Sequence, residues 1–114
     1  MRMTQERRRH VRTKPTPALP ARAVRALDAL LQESLEIIDI SVGGLALASV
    51  DVEPGTKMTL TLTLGENGSE HVVDAVVRWA RRGAVGVELV DPSPTAAQAI
   101  QKYVAELLER GAAG

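Results

Sequence analysis

Two short segments hold the side chains best suited to bind a ligand. The first is the run Arg7-Arg8-Arg9-His10-Val11-Arg12, in which four guanidinium groups fall within six residues. Guanidinium groups present forked donors that match phosphate in a bidentate way and stack on base planes. Arginine also pairs with O6 and N7 of guanine. The run therefore predicts either an anion-binding arm or a basic tail that stays in solvent.

The second segment is Asp39-Ile40-Ser41-Val42-Gly43-Gly44. In a strand, Asp39 and Ser41 leave the same face because they are two residues apart. The opposite, expected core face then carries Ile38, Ile40 and Val42. A carboxylate only accepts hydrogen bonds, which suits the N–H donors on the Watson–Crick edge of guanine. Adjacent glycines would let another molecule approach the backbone closely. The alternative is structural, with Asp39 and Ser41 ending a strand and capping a Gly-Gly turn.

The charge of the chain is unevenly distributed. The 114 residues include 14 Lys+Arg and 14 Asp+Glu, so the formal net charge is zero. Residues 1–14 hold six basic side chains and one acidic one, a net charge of +5, which leaves −5 on residues 15–114. A basic arm on an acidic body indicates an anionic ligand that recruits the arm.

The composition excludes several classes of protein. The length is that of one domain, and the absence of Cys removes disulfides, thiolate metal sites and Cys nucleophiles. Trp79 and Tyr103 are the only aromatic residues, too few for a platform that stacks single-stranded nucleic acid. No apolar run is long enough to span a membrane, and the basic N-terminus is not followed by the apolar stretch of a secretory signal. We therefore expect a cytoplasmic protein.

Catalytic motifs are missing from the sequence. It contains no nucleophile–base pair, no metal-ligand cluster and no phosphate-binding glycine loop. His10 and His71 have no partners at metal-ligand spacing, and His10 is expected to face solvent or to pack. The chain is therefore predicted not to be an enzyme and to hold neither a metal nor a cofactor.

The hydrophobic pattern predicts a mainly β chain. Pro15, Pro17 and Pro20 indicate extended chain, whereas residues 22–33 fit either a strand end with a turn or one short helix. Strict alternation over Met58–Leu64 is typical of a half-buried antiparallel strand, and Asn67-Gly68 of the hairpin turn that follows it. Further strands are predicted over 35–41, 45–50, 71–80 and 84–90.

The C-terminal region is predicted to be helical. Thr95 and Gln98 fit a capping box, and Arg110 and Gly111 fit a helix C-terminus. One apolar stripe follows the helical repeat and consists of Ile100, Tyr103, Val104, Leu107 and Leu108. This stripe must dock on the strands or on a partner, and we expect Tyr103 to serve packing.

Taken together, the two segments resemble the two-part signature of the PilZ domain family, in which R-x-x-x-R precedes [D/N]-x-S-x-x-G. Here these are Arg8-x-x-x-Arg12 and Asp39-x-Ser41-x-x-Gly44. The phrases RRRHVR, IIDISVGGLAL, VVRW and GVEL and the closing helix also follow the family's order, from about Gln5 to Leu108. The resemblance implies a small six- to seven-stranded antiparallel β-barrel with a C-terminal α-helix. It divides the chain into a flexible basic arm (1–14), the barrel (15–92) and the helix with its tail (93–114).

The resemblance also implies a ligand, the bacterial second messenger cyclic di-GMP, bound as one molecule or as a stacked pair. Arg8 and Arg12 would hold phosphate and guanine, Asp39 and Ser41 would bond the other guanine, and Gly44 would leave room for it. Possible auxiliary residues are Arg7, Arg9, Gly43 and Trp79. For Trp79 we expect core packing, with a side wall of the ligand site as the alternative.

A single-domain member of this family is expected to act through another protein. Ligand binding would order the arm on the barrel and so change the contact with an unidentified downstream protein, in a monomer or a homodimer. Two alternatives stay open. A nucleic-acid-binding arm is disfavoured because it leaves Asp39 and Ser41 without a role. A PilZ-like adaptor without ligand binding is disfavoured by the intact signature.

Overall fold

The computed structural model describes residues 12–28, 30–48, 51–65 and 68–110. Within these residues the chain forms seven strands and one helix, namely β1 (Ala21–Ala26), β2 (Gln32–Leu35), β3 (Ile37–Ser41), β4 (Gly44–Ala48), β5 (Lys57–Leu64), β6 (Ser69–Arg81), β7 (Ala84–Val90) and α1 (Pro94–Glu109). All ladders are antiparallel, in the order β2-β1-β5-β6-β7-β4-β3. The predicted mainly β architecture with a C-terminal helix is confirmed.

The predicted closed barrel is only partly confirmed. In the part of the chain that the structure describes, no ladder joins β2 to β3, the two ends of the strand order. These end strands are nevertheless successive along the chain, with Glu36 alone between them. The two edges of the sheet are therefore connected covalently at Glu36, which also divides the strand predicted over 35–41 into two.

The region that fitted either a strand or a helix is a β-hairpin. Strand β1 pairs with β5 on one side and with β2 on the other, so its backbone hydrogen bonds are used between strands. Asp28 turns the chain, because its Oδ1 atom accepts the N–H groups of Leu30 (2.8 Å) and Leu31 (2.9 Å). This arrangement is an Asx-type turn. The short-helix interpretation of residues 22–33 is wrong.

A β-bulge in β3 changes which isoleucines face the core. The register between β3 and β4 shifts between Ile37 and Asp39, which adds one residue to the β3 side of the ladder. As a result Ile37 and Ile40 are buried, whereas Ile38 is only half-buried. Val42 is exposed for a different reason, because β3 ends at Ser41 and Val42 lies in the turn that follows. The predicted core positions of Ile38 and Val42 are wrong, and that of Ile40 is confirmed.

The core lies between the inner face of the sheet and α1. The predicted alternation in β5 is confirmed by the burial of Met58, Leu60, Leu62 and Leu64. From the helix, the buried residues are Ala96, Ile100, Tyr103, Val104 and Leu107, whereas Leu108 of the predicted stripe is exposed. None of the described segments forms a helix with the length and apolar character needed to cross a membrane.

The ends of the helix differ in part from the prediction. The N-cap is Ser93, whose Oγ accepts the N–H of Ala96 at 3.1 Å, and Pro94 occupies the first helical position. The N-cap therefore lies two residues before Thr95, where the capping box was predicted. Pro94 fits this start of the helix, since proline is favoured at the first helical position. Arg110 is the C-cap, as expected, whereas Gly111 and Asn67 of the predicted hairpin turn lie outside the described residues.

Tyr103 links the helix to the segment that precedes β1. Its hydroxyl donates a hydrogen bond of 2.6 Å to the carbonyl oxygen of Leu19, and the residue is 3% exposed. Burial raises the pKa of Tyr103 to about 12, because the phenolate would lose its hydration. The packing role predicted for Tyr103 is confirmed, with this hydrogen bond as an additional feature.

We expect the Tyr103→Phe substitution to remove one component of alkaline unfolding. The raised pKa of Tyr103 stabilises the fold fully below pH 10, and this contribution is lost as the pH rises through about 12. At neutral pH the variant should lose about 1 kcal/mol, because the Leu19 carbonyl loses its donor. Urea unfolding of both proteins between pH 8 and about pH 12 tests this. If the free energies of unfolding of wild type and variant differed by the same amount at every pH in that range, the predicted role of Tyr103 in alkaline unfolding would be contradicted.

Candidate functional site

The ladders bring the predicted site residues together on the outer face of β3, β4, β7 and β6. One row across these strands contains Ser41, Gly44 and Glu88. The neighbouring row contains Asp39, Ala46, Gly86 and Trp79. The pairing register therefore places the carboxylate of Asp39 and the indole of Trp79 at the two ends of one short row.

Arg12 is positioned by the residue that follows it. Thr13 forms a β-bridge with Ile40, with N–O distances of 2.9 and 2.8 Å, and its side chain is 1% exposed. This anchor places the Arg12 guanidinium against Asp39, where Nη1 lies 2.5 Å from Oδ1. Residues that are 27 positions apart in the sequence thus form an ion pair at the site. Sequence reasoning did not identify Thr13, since a single threonine carries no signal for such a bridge.

Ser41 and Gly44 both have structural roles in addition to their place in the site. Ser41 is 4% exposed, and its Oγ donates to the carbonyl oxygen of Gly44 at 3.2 Å. A Cβ atom at Gly44 would lie 2.2 Å from the carbonyl oxygen of Val87. The turn-capping interpretation of Ser41 therefore holds in this structure, and Gly44 is required by the close approach of β4 and β7.

Trp79 lies outside the core, contrary to the expectation of core packing. A register shift between Val77 and Trp79 keeps Val77 buried and turns the indole to the outer face. The half-buried indole covers Gly86, where an added Cβ would be 2.1 Å from Nε1. The Arg81 guanidinium lies 5.1 Å from the ring centroid, within the range of a cation–π interaction.

These side chains surround a cavity of about 230 Å³. Its lining consists of Arg12, Ser41, Gly43, Gly44, Arg78, Trp79, Gly86, Val87 and Glu88. Arg78 and Glu88 form an exposed ion pair at its rim, with Nε and Oε1 2.5 Å apart. Larger cavities lie elsewhere, but this one is where Arg12 and the Asp39–Gly44 segment meet. It combines guanidinium donors, the Glu88 carboxylate and one aromatic face, and Asp39 adjoins it through its ion pair with Arg12.

Some predicted site residues lie outside the described part of the chain, and some lining residues were not predicted. Arg7, Arg8, Arg9 and His10 lie outside the described residues. Gly86, Arg78 and Glu88 were not proposed from the sequence, although the phrases VVRW and GVEL contain them. Only the folded structure shows that they line the same cavity as Arg12. Within the described ranges, no group of three or more His, Asp or Glu side chains is placed to hold a metal ion.

Comparison with known proteins agrees with the fold and the signature. The family model of the PilZ domain matches residues 6–106, so the chain belongs to the PilZ domain family. No curated protein matches the chain at a significant level.

Two solved structures share the fold of the chain. One is the PilZ domain with c-di-GMP of YcgR from Escherichia coli, with a TM-score of 0.68, 16% sequence identity and coverage of 92% of this chain and 94% of that one. The other is YcgR in complex with c-di-GMP from Escherichia coli, with a TM-score of 0.73, 20% identity and coverage of 92% of this chain. The match spans 47% of that second, longer chain.

Proposed function

We propose that this protein is a receptor that binds cyclic di-GMP in the cavity between Arg12 and Trp79. The observation that carries the proposal is the convergence of Arg12, Asp39 and Trp79 on one outer face of the sheet. The PilZ fold supports it, because the two YcgR structures that share this fold contain c-di-GMP. The proposed activity is binding, with no catalytic step.

Several groups in the cavity, together with Asp39 beside it, match parts of the ligand. The Arg12 guanidinium pairs with phosphate or with O6 and N7 of one guanine. Asp39 accepts the N–H donors of a guanine edge, and its two carboxylate oxygens allow it to keep Arg12 as a neighbour. The indole of Trp79 offers a flat face against which a guanine stacks. Ser41 supplies a further polar group, and Gly43 and Gly44 allow close approach of the backbone.

The basic arm completes the proposal. Arg8 joins Arg12 on the ligand, and Arg7 and Arg9 add charge towards the phosphates. The arm over residues 1–14 then becomes ordered on the sheet region (15–92), and the signal passes to a downstream protein, with the helix and tail (93–114) as a further contact. The Thr13–Ile40 bridge already fixes the end of this arm on β3, so the ordering that we propose concerns the residues before Arg12.

Calorimetric titration with cyclic di-GMP tests the proposal and gives affinity and stoichiometry together, including one molecule against a stacked pair. Trp79 is the single tryptophan of the chain, so its fluorescence should change in the same titration. Cyclic di-AMP is the matched control, since adenine lacks the guanine donor edge that Asp39 would recognise. Absence of heat and of any fluorescence change with cyclic di-GMP would refute the proposal.

A titration with duplex DNA at two salt concentrations separates the proposal from nucleic-acid binding. Contacts of the arm with many phosphates would produce affinity that falls steeply with salt and ignores sequence. We expect weak binding of DNA, together with binding of cyclic di-GMP that depends on Asp39. Tight, salt-sensitive DNA binding without binding of cyclic di-GMP would favour the alternative.

A further inference from the structure

The tip of the β1–β2 hairpin presents three leucines to solvent. Leu27 is 49% exposed, Leu30 is 91% exposed and Leu31 is 57% exposed. We refer to these three residues as the leucine tip. Single exposed apolar residues are common on protein surfaces, but a cluster of large ones marks a contact site. Burial of the core does not require them, since they lie outside the buried cluster formed by the sheet and α1.

Hydrogen bonds connect the described backbone atoms of the leucine tip. Asp28 Oδ1 accepts the N–H groups of Leu30 and Leu31, and the N–H of Leu27 donates to the carbonyl oxygen of Leu31 at 2.9 Å. The three leucine side chains are exposed around this hydrogen-bonded turn. A surface that is already ordered loses less conformational entropy on binding, which favours specific contact.

The charge at the tip distinguishes among the possible partners. The Asp28 carboxylate is fully exposed beside the leucines, and the two N–H groups that it accepts lower its pKa. Insertion into lipid would carry this negative charge towards the apolar region, at a high cost. A two-fold contact between two copies would place two Asp28 carboxylates near each other. The nearby Arg25 and Glu33 pair with each other at 3.6 Å and offset one another.

We propose that the leucine tip inserts into an apolar groove of a different protein, and that a Lys or Arg side chain at the rim of this groove pairs with Asp28. The tip lies in the turn between β1 and β2, whereas the cyclic di-GMP cavity is lined by Arg12 and by residues of β3, β4, β6 and β7 and the β3–β4 turn. The two surfaces are therefore separate, and the failure of one proposal leaves the other intact.

Site-specific photo-crosslinking in the cells that produce the protein identifies the partner. The photoreactive residue p-benzoylphenylalanine replaces Leu30, and in the matched control it replaces Val72, which is 66% exposed on β6. We expect one crosslinked protein from position 30 that is absent from position 72. The crosslinked peptide should map to an apolar groove with a cationic residue at its rim.

Binding of the purified partner then tests the chemistry. Leu30→Ser should weaken the complex by about tenfold or more through the loss of buried apolar surface. Asp28→Asn keeps the oxygen that accepts the two backbone N–H groups but removes the charge, so it should weaken binding and reduce its salt dependence. Val72→Ser should leave the affinity unchanged. Leu30→Ser should keep the wild-type melting temperature and the wild-type affinity for cyclic di-GMP.

Four results would each overturn the proposal. They are a crosslink to a second copy of this chain, equal crosslinking from positions 30 and 72, unchanged partner affinity in the Asp28→Asn variant, and binding to lipid. Binding to lipid is measured by sedimentation with vesicles of equal parts phosphatidylglycerol and phosphatidylethanolamine. The overturning result is that the wild-type protein sediments with the vesicles and the Leu30→Ser variant does not.

Discussion

Replacement of Arg12 by alanine is expected to lower the affinity for cyclic di-GMP by about a hundredfold or more. Among the residues that the structure describes, Arg12 is the basic residue that both lines the cavity and pairs with Asp39. Its removal takes away charge-assisted hydrogen bonds to the ligand and leaves the Asp39 carboxylate without its counter-charge beside an anionic ligand. Calorimetric titration of the variant and of wild type at the same salt concentration measures the loss.

Two further variants separate shape recognition from charge alone. Arg12→Lys keeps the charge but lacks the planar fork, so most of the affinity should still be lost. Arg22→Ala removes a cation on β1, outside the cavity, and should leave the affinity unchanged. Wild-type affinity in the Arg12→Ala variant would contradict the proposed role of Arg12, and full retention in Arg12→Lys would contradict bidentate recognition.

The Arg12→Ala substitution should have little effect on the stability of the folded state. The Arg12 and Asp39 side chains are 49% and 22% exposed, so solvent screens their ion pair. Such pairs contribute about 0–1 kcal/mol to stability. The Thr13–Ile40 bridge uses backbone atoms and the Thr13 hydroxyl, which the substitution does not touch. A loss of affinity without a loss of stability therefore reports on the site itself.

Much of the succession of strands along the chain and of the core could be predicted, because local patterns determine them. In β5, apolar and threonine residues alternate without interruption, and the buried face is the predicted one. The same reasoning failed where a bulge shifts the phase of a strand, as at Ile38 in β3 and between Val77 and Trp79 in β6. A bulge depends on the partner strand, which a pattern of period two does not contain.

The signature residues of the site were predictable, whereas Arg78, Gly86 and Glu88 were not, and the wall position of Trp79 was predicted only as the alternative to core packing. Arg12 and Asp39 carry a chemical signature that can be read without a fold, and the structure brings them into contact. The wall formed by Trp79 over Gly86 depends on the register between β6 and β7, and Thr13 acts through a tertiary bridge. The spacing of Leu27, Leu30 and Leu31 fits a helix equally well, and only strand pairing decides against it.

Gly44→Ala is expected to destabilise the fold by about 3 kcal/mol, which lowers the melting temperature by about 10 °C or more in a domain of this size. The added Cβ would lie 2.2 Å from the carbonyl oxygen of Val87 and 3.3 Å from the Cα atom of Glu88. Both are backbone atoms of β7, held by ladders to β4 on one side and β6 on the other. The strands must therefore separate to accept the methyl group. Thermal unfolding followed by circular dichroism measures the change.

The matched control for Gly44→Ala is Gly86→Ala on the neighbouring strand. There the added Cβ meets the indole of Trp79, a half-buried side chain that can rotate towards solvent, so the expected cost is only about 1 kcal/mol. The tryptophan fluorescence should shift in this variant, and binding of cyclic di-GMP should weaken because the stacking face moves. A Gly44→Ala variant with wild-type stability and no ligand binding would instead show that this glycine serves only to leave room for the ligand.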